Sequence, residues 1–474
     1  MKLRHVQAKS QTAITLCCSL VALMSTSTLT FAAEQSKVSK PGSSNPKSIN
    51  QIIKPPIAYA YIDLATNSSD LPGGNLIEAA SKGGKSGGLF GALGGLARGA
   101  VGSSDRGNTF GNTKAMGFAS GRFMDVSVNA VKNSGLTEAT QTLPSGMNLG
   151  ESLKLVAPVP DKPVASTPTD DSPVEPSYEK PKGKISLYWG CGETIRAGQP
   201  RTIDVANASL DDYAKFFVAR GKTTKGARSQ PGFPAWPNKD DDRKVPETAS
   251  LVGQHNFVGS GIPDSFKLNL AEAQDLMPSI ELSQTKNEGS VRLEWKSIAQ
   301  ARGYFISVLG GQASGGQTNA TKSSGDKSSN DKSSSDKSSS AEGAELVIWT
   351  SSELVDFGFG LTDYQPNADV DKWVHEKVIL PPSVTKCEVP KGIFGERGGG
   401  ILRMIAYGAE TVFVHPPRPT DPKVTWEQEW QAKVRLKSTT TSILGGMGDA
   451  ETRKKDKEEK KKKPTDLLKG LFGG

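Results

Sequence analysis

Apolar and polar positions alternate along several short stretches of this chain, and that alternation predicts strands. Near the C-terminus Val424, Trp426, Gln428, Trp430, Ala432, Val434 and Leu436 occupy one parity. Thr425, Glu427, Glu429, Gln431, Lys433, Arg435 and Lys437 occupy the other. A strand sends alternate side chains to opposite faces, so one face is mostly apolar and the other wholly polar. Gln428 is the exception on the apolar face. Its uncharged amide is expected at the edge of the core, or buried with hydrogen-bond partners.

The same period of two marks Ile185, Leu187 and Trp189, then Phe266, Leu268 and Leu270, then Val291, Leu293 and Trp295. Runs rich in β-formers at 303–309, 345–349 and 401–407 add three more strands. Further toward the N-terminus, Ala58–Leu64 and Arg122–Val128 each carry an apolar–Asp–apolar centre, at Asp63 and Asp125. They are expected to neighbour one another in a small sheet. Helical spacing is confined to two places. Leu210, Tyr213, Ala214 and Phe217 follow Ser209 as a start signal, and Val370, Trp373, Val374 and Val378 follow Asn367 as a candidate cap.

Between these segments lie stretches that cannot build a core. Residues 34–54 are rich in Ser, Lys, Pro and Asn and read as a disordered leader. Residues 83–102 are glycine-rich, and 157–183 carry seven prolines in a semi-rigid linker. Residues 323–340 repeat Ser-Ser-x-Asp-Lys without one apolar side chain, so they form a solvated loop hung between two strands. The expected class is therefore mainly β, with two β-sandwich-like domains, a small N-terminal β region and long disordered or low-complexity segments. The expected divisions are a small β region at 55–156 and a middle β domain at 184–277. A sandwich at 278–437 with a disordered insertion at 311–343 follows, then a basic disordered tail at 438–474.

Residues 1–33 read as a secretory signal peptide. Lys2, Arg4 and Lys9 are basic, Ala13–Met24 is apolar, and Thr30-Phe31-Ala32-Ala33 ends in small residues. The apolar run is short of the roughly 20 residues that span a bilayer. An exported protein of the periplasm or outer cell envelope is expected. The net charge of +8 then reads differently, because the signal supplies three of those charges and the tail from Arg453 supplies five. A neutral body argues against a nucleic-acid partner. Cys17 and Cys18 belong to the signal, which leaves Cys191 and Cys387, 196 positions apart, as a candidate disulfide in an oxidising compartment. Two unlinked buried thiols are the alternative.

The stretch Val291-Arg292-Leu293-Glu294-Trp295, followed by Ala301-x-x-Tyr304 and Phe305-Ile306-Ser307-Val308, resembles a fibronectin type III domain over about 278–437. Thr385–Pro390 resembles the strand before that fold's later crossover. The repeat insertion and the extra helix are foreign to the pattern, and its usual tyrosine near the sixth strand has no counterpart at Gly398-Gly399-Gly400-Ile401. Together with Trp189-Gly190-Cys191-Gly192-Glu193, this region also resembles a group of uncharacterised exported proteins of Gram-negative bacteria. That resemblance implies no activity.

No catalytic, cofactor-binding or metal-binding constellation stands out. His255, His375 and His415 are isolated, and no nucleophile elbow or phosphate loop is present. Glu193, Asp204, Asp211 and Asp212 are the available carboxylate pairs, and Asp240-Asp241-Asp242 lacks calcium-loop spacing. Trp236, Trp373, Trp426 and Trp430 are candidates for a sugar or peptide groove, or for core packing. In the tail, Lys454, Lys455, Lys460, Lys461, Lys462 and Lys463 precede Leu467, Leu468, Leu471 and Phe472. A basic run followed by an apolar patch suits an anionic membrane surface. The leading expectation is a non-enzymatic binding or structural component of the bacterial cell envelope, whose partner is an envelope protein or polysaccharide. An envelope polysaccharide or peptide hydrolase and a periplasmic chaperone for extended chains are the alternatives.

Overall fold

The computed structural model describes residues 51–70, 108–114, 120–159, 183–205, 207–218, 220–221, 223–312, 345–394 and 400–445. The signal segment, the glycine-rich insertion, most of the proline-rich linker, the Ser-Ser-x-Asp-Lys repeat and the surface-attachment residues Lys454–Phe472 lie outside them.

The described chain is mainly β. It opens with β1 (Ile53–Lys54) and β2 (Ala58–Ser69), followed by β3 (Gly121–Ala130), β4 (Glu138–Thr142) and β5 (Ser152–Val156). Next come β6 (Lys184–Trp189), β7 (Arg201–Asp204), helix α1 (Leu210–Phe216), β8 (Ala235–Trp236), β9 (Gly253–Gly259) and β10 (Lys267–Leu270). The C-terminal part holds β11 (Leu282–Asn287), β12 (Ser290–Trp295), β13 (Gly303–Gln312), β14 (Glu345–Thr350) and helix α2 (Asn367–His375). It ends with β15 (Lys386–Val389), β16 (Gly400–His415), β17 (Trp426–Glu427) and β18 (Trp430–Ile443). Among the described residues no helix is long and apolar enough to cross a membrane.

One 13-stranded sheet runs in the order β10-β9-β4-β5-β8-β3-β2-β18-β16-β13-β14-β6-β7, and β11-β12-β15 form a separate antiparallel sheet. This layout corrects the expected division into three separate β units. The middle segment does not close on itself. Its β6 and β7 extend the sheet beyond β14, while its β8 lies between β5 and β3, its β9 pairs with β4 and its β10 forms the edge beside β9. The seam between the N-terminal and C-terminal segments is a parallel pair, in which β2 runs beside β18 from Ala58↔Trp430 to Ser69↔Thr441. A local hydrophobic period cannot report such a pairing, because its partners are far apart in sequence.

The apolar parities converge on one core. Ile62, Leu64, Val126, Val434, Leu436, Met404 and Ile306 of the large sheet share it with Leu293, Trp295 and Val389 of the small one. Trp295 meets the ring of Tyr304 edge-on at 5.5 Å, so the two sheets pack face to face here. On the opposite face of the large sheet, α2 covers Phe305 and Ile405 with Val370 and Trp373, and α1 brings Phe216 against Leu187 and Ile348. Helix α1 begins where Ser209 predicts it, with a reciprocal cap between Ser209 and Asp212.

Three local expectations change. The leader ends earlier than residue 54, since Ile53 and Lys54 pair with Trp426 and Glu427. The last strand does not end at 437. It continues through Ser438–Ile443, where the hydroxyl residues Ser438–Ser442 are buried between two strands and two of them find partners, Ser438 donating to Thr66 O at 3.1 Å and Thr439 to Asn67 Oδ1 at 2.7 Å. Asn367 is not the cap of α2 but its first residue, after Pro366. Its amide instead holds Glu410 through two 2.8 Å hydrogen bonds, beside the break in register between Tyr407 and Glu410.

The large sheet also gathers the ends of the chain's described stretches. Asp70 follows β2, Gly183 precedes β6, Gln312 and Glu345 face each other on β13 and β14, and Gly400 and Leu444 are hydrogen-bonded across β16 and β18. The registers Gly310↔Gly400, Ile401↔Ile443, Thr441↔Ser69 and Glu345↔Lys184 put all of these at one end of the sheet.

Candidate functional site

The face of β18 read from the alternation as wholly polar is not a solvated face. Arg435 and Lys437 are each only 1% exposed. Register explains which groups make that burial possible. Asp63 stands opposite Arg435 on β18 and opposite Asp125 on β3, and Lys437 stands opposite Ala65 on β2 and Tyr407 on β16. The two apolar–Asp–apolar segments are thus neighbours, as expected, and their aspartates face each other.

Arg435 donates to both oxygens of Asp63, from Nε at 2.7 Å and from Nη2 at 2.5 Å. Its Nη1 donates to Thr223 Oγ1 and to Thr224 O at 3.1 and 2.7 Å. Lys437 Nζ donates to Asp363 Oδ1 at 2.8 Å. Between the two cations lies the ring of Tyr364, with Arg435 at 4.3 Å and Lys437 at 4.5 Å from its centre, and the Tyr364 hydroxyl donates to Leu64 O. Asp125 accepts the Gly111 N–H at 3.0 Å and the Thr113 hydroxyl. The loop 223–228 closes over the layer, with Ala227 N donating to Asp63 Oδ2 at 3.0 Å. Only glycine allows that loop to lie so close, because a Cβ on Gly226 would stand 1.7 Å from Arg435 Nη2.

Burial and pairing set the charges. Burial lowers the Arg435 guanidinium's pKa, but the Asp63 carboxylate outweighs it and the net shift is upward. Burial raises Asp363, yet the Lys437 ammonium and its hydrogen bond hold it below the usual carboxylate range. Lys437 itself moves down because burial exceeds the help from Asp363. Asp125 is pushed up to about 7, chiefly by burial and further by Asp63, against the hydrogen bonds from Thr113 and Gly111 and the charge of Lys114. Asp63 and Asp125 are shut away from solvent, Asp363 is partly exposed, and all three are committed to partners, so among the described residues they clamp loops onto the sheet.

The other sequence candidates are placed separately. Cys191 and Cys387 are joined as a disulfide, their Cα atoms 5.2 Å apart. The bond ties the turn after β6 to β15, and Gly192 N donates to Glu388 O alongside it. Closing so long a loop limits the unfolded chain, and reduction or a Cys191→Ser/Cys387→Ser variant is expected to cost about 3 kcal/mol. Urea unfolding with and without reductant measures this; coincident midpoints would refute it.

Trp236, Trp373 and Trp430 are buried, and Trp430 stacks between Phe266 and His415. Trp426 donates to Pro416 O beneath Arg418, so the four tryptophans do not line one groove. His255 is buried with Gln141 at one ring nitrogen and Leu251 O at the other. Asp204 and Asp212 share a recess of about 300 Å³ with Arg201, Lys215 and Phe216. Asp212 is held below its ordinary pKa by the Ser209 hydroxyl and backbone N–H it caps with, which unsuits it to donate a proton. Asp240 pairs with Lys239 and Asp241 with Arg243. Among the described residues no three His, Cys, Asp or Glu side chains are grouped to hold a metal.

Sequence reasoning missed the charged layer as a site. The available signal was the basic stripe Lys433, Arg435 and Lys437 in one strand, set against an aspartate at the centre of each of two others. No protein-family model matches this chain, and no curated protein matches its sequence.

Proposed function

We propose that this chain is an exported, non-enzymatic binding or structural component of the bacterial cell envelope. In this reading a rigid β body presents several long segments from one end. The observation that carries it is the gathering of Asp70, Gly183, Gln312, Glu345, Gly400 and Gly445 at a single end of the large sheet. The repeat segment leaves and re-enters the body there, while the glycine-rich segment and the basic tail leave it there and the proline-rich segment enters it there. Multiple attachments from one place raise local concentration and so strengthen weak contacts with a surface or partner.

Two further features support the reading. The Cys191–Cys387 bond is compatible with an oxidising compartment. The split of β11, β12 and β15 from β14, β13, β16 and β18 into two facing sheets supports a fibronectin type III-like sandwich, a frame that many extracellular binding proteins use. The tail supplies the anionic-surface contact, at about 1 kcal/mol per basic residue near such a surface. Deleting residues 453–474 is expected to release the protein from the envelope fraction of fractionated cells, and high salt is expected to release the intact protein. Unchanged fractionation in both cases would overturn the surface-attachment reading.

A further inference from the structure

The charged layer contains a third buried cation, and it differs from the other two. Arg435 has Asp63 and Lys437 has Asp363. Arg403, on β16, is 9% exposed and has no carboxylate within ion-pair distance among the described residues. Its Nη2 donates to Thr362 O at 3.0 Å, while its Nε and Nη1 are buried without a protein partner there.

Its surroundings repeat the same polarity. Arg403 stands opposite Thr441 on β18, whose Oγ1 is also buried and unpartnered. Thr441 in turn faces Ser69 on β2, and Asn67 lies on the same face two positions away. Asn67 Oδ1 accepts the Thr439 hydroxyl, which leaves Nδ2 buried with nothing to receive its hydrogens. Directly opposite side chains on adjacent strands lie about 5 Å apart and diagonal ones about 7–8 Å, so Thr441 stands between the other two, opposite Arg403 and diagonal to Asn67, on one face of the layer. All three can donate a hydrogen bond, and one carries a full positive charge. A buried charge without a partner is costly, and so is each buried donor left unmatched.

We propose that Arg403, Thr441 and Asn67 form a binding site for a small anion: a halide, or the carboxylate of a small organic acid. The Arg403 guanidinium supplies the charge through Nε and Nη1, and the hydroxyl and amide complete the donor set. Burial lowers Arg403 only to about 10, so the site stays cationic at physiological pH. The neighbouring cation Lys437 is neutralised locally by Asp363, which leaves the third charge for the ligand.

The test is thermal unfolding of the signal-free chain at constant ionic strength, with sodium bromide or sodium formate exchanged for bulky sodium isethionate. The midpoint is expected to rise saturably with the anion that fits, so the two arms separate halide from carboxylate. Arg403→Met is expected to abolish the rise. The milder Thr441→Val is expected to weaken the apparent affinity about tenfold, as for one hydrogen bond to a charged group. Crystals of the unaltered protein soaked in bromide should give an anomalous peak within hydrogen-bonding distance of Arg403 Nε, and this decides the matter if the Met variant does not fold. A rise of equal size in Arg403→Met would overturn the site, as would the absence of a response to either anion, or water alone around Arg403 in crystals grown with both.

Discussion

Replacing Asp63 with alanine is expected to destabilise the protein by about 3–5 kcal/mol, because it strands the Arg435 guanidinium in a dry interior. The two groups are opposite each other on the parallel seam β2–β18 and joined by two hydrogen bonds. The loss is not confined to the pair. Ala227 N donates to the same carboxylate, and the loop 223–228 that closes the layer would lose its anchor. Removing both charges in Asp63→Ala/Arg435→Met is expected to recover much of the stability, since most of the single-variant cost is the uncompensated charge. Denaturant unfolding of the four members of this cycle measures the coupling. A single-variant cost below about 1 kcal/mol would show that the layer is not clamped by this pair.

The second large effect is a dependence on pH. Asp125 is held near pH 7 in the folded protein against 3.8 for an ordinary aspartate. The folded state therefore keeps a proton that the unfolded chain releases, and the sign follows from linkage. The contribution is fully present below about pH 4, where both states are protonated, and it is lost as pH rises through about 7. A shift of this size corresponds to on the order of 4 kcal/mol between those limits. The groups that face Asp125 are Asp63, which adds to the shift, and Thr113, Gly111 and Lys114, which oppose it. Asp125→Asn keeps the size and the acceptor for Gly111 while removing the titration. The difference in unfolding free energy between the native protein and this variant is expected to change with pH between about 4.5 and 7.5, in favour of the variant at the higher value. A constant difference would refute the assignment.

Both expectations depend on a layer of which the alternation pattern shows only a wholly polar strand face. Lys433, Arg435 and Lys437 share one parity of a strand, which marks a polar face but does not say what it meets. The burial of Arg435 and Lys437 rests on partners supplied from elsewhere: Asp63 from an N-terminal strand, Asp363 and Tyr364 from the loop before α2, and the strip around Gly226. By contrast, features governed by near neighbours were readable. Ser209 caps α1 because the cap bond spans only three residues. The two aspartate-centred strands pair because their flanking apolar residues demand the same face. The strands flanking the Ser-Ser-x-Asp-Lys repeat are neighbours for a similar reason, since a long polar connection between two β runs leaves them free to form a hairpin.

By itself the sequence determined the mainly β class, about half of the strand positions and the two helices. These follow from side-chain period and backbone preference, which act within a few residues. Only the tertiary structure decided that three expected units share one sheet, with β2 beside β18 across 372 positions between Asp63 and Arg435. Backbone hydrogen bonds carry no address, so the choice of neighbour falls to burial of apolar faces and to matching of charges that meet only in the folded chain. That same match carries Arg435 and Lys437 of a polar strand face into the interior.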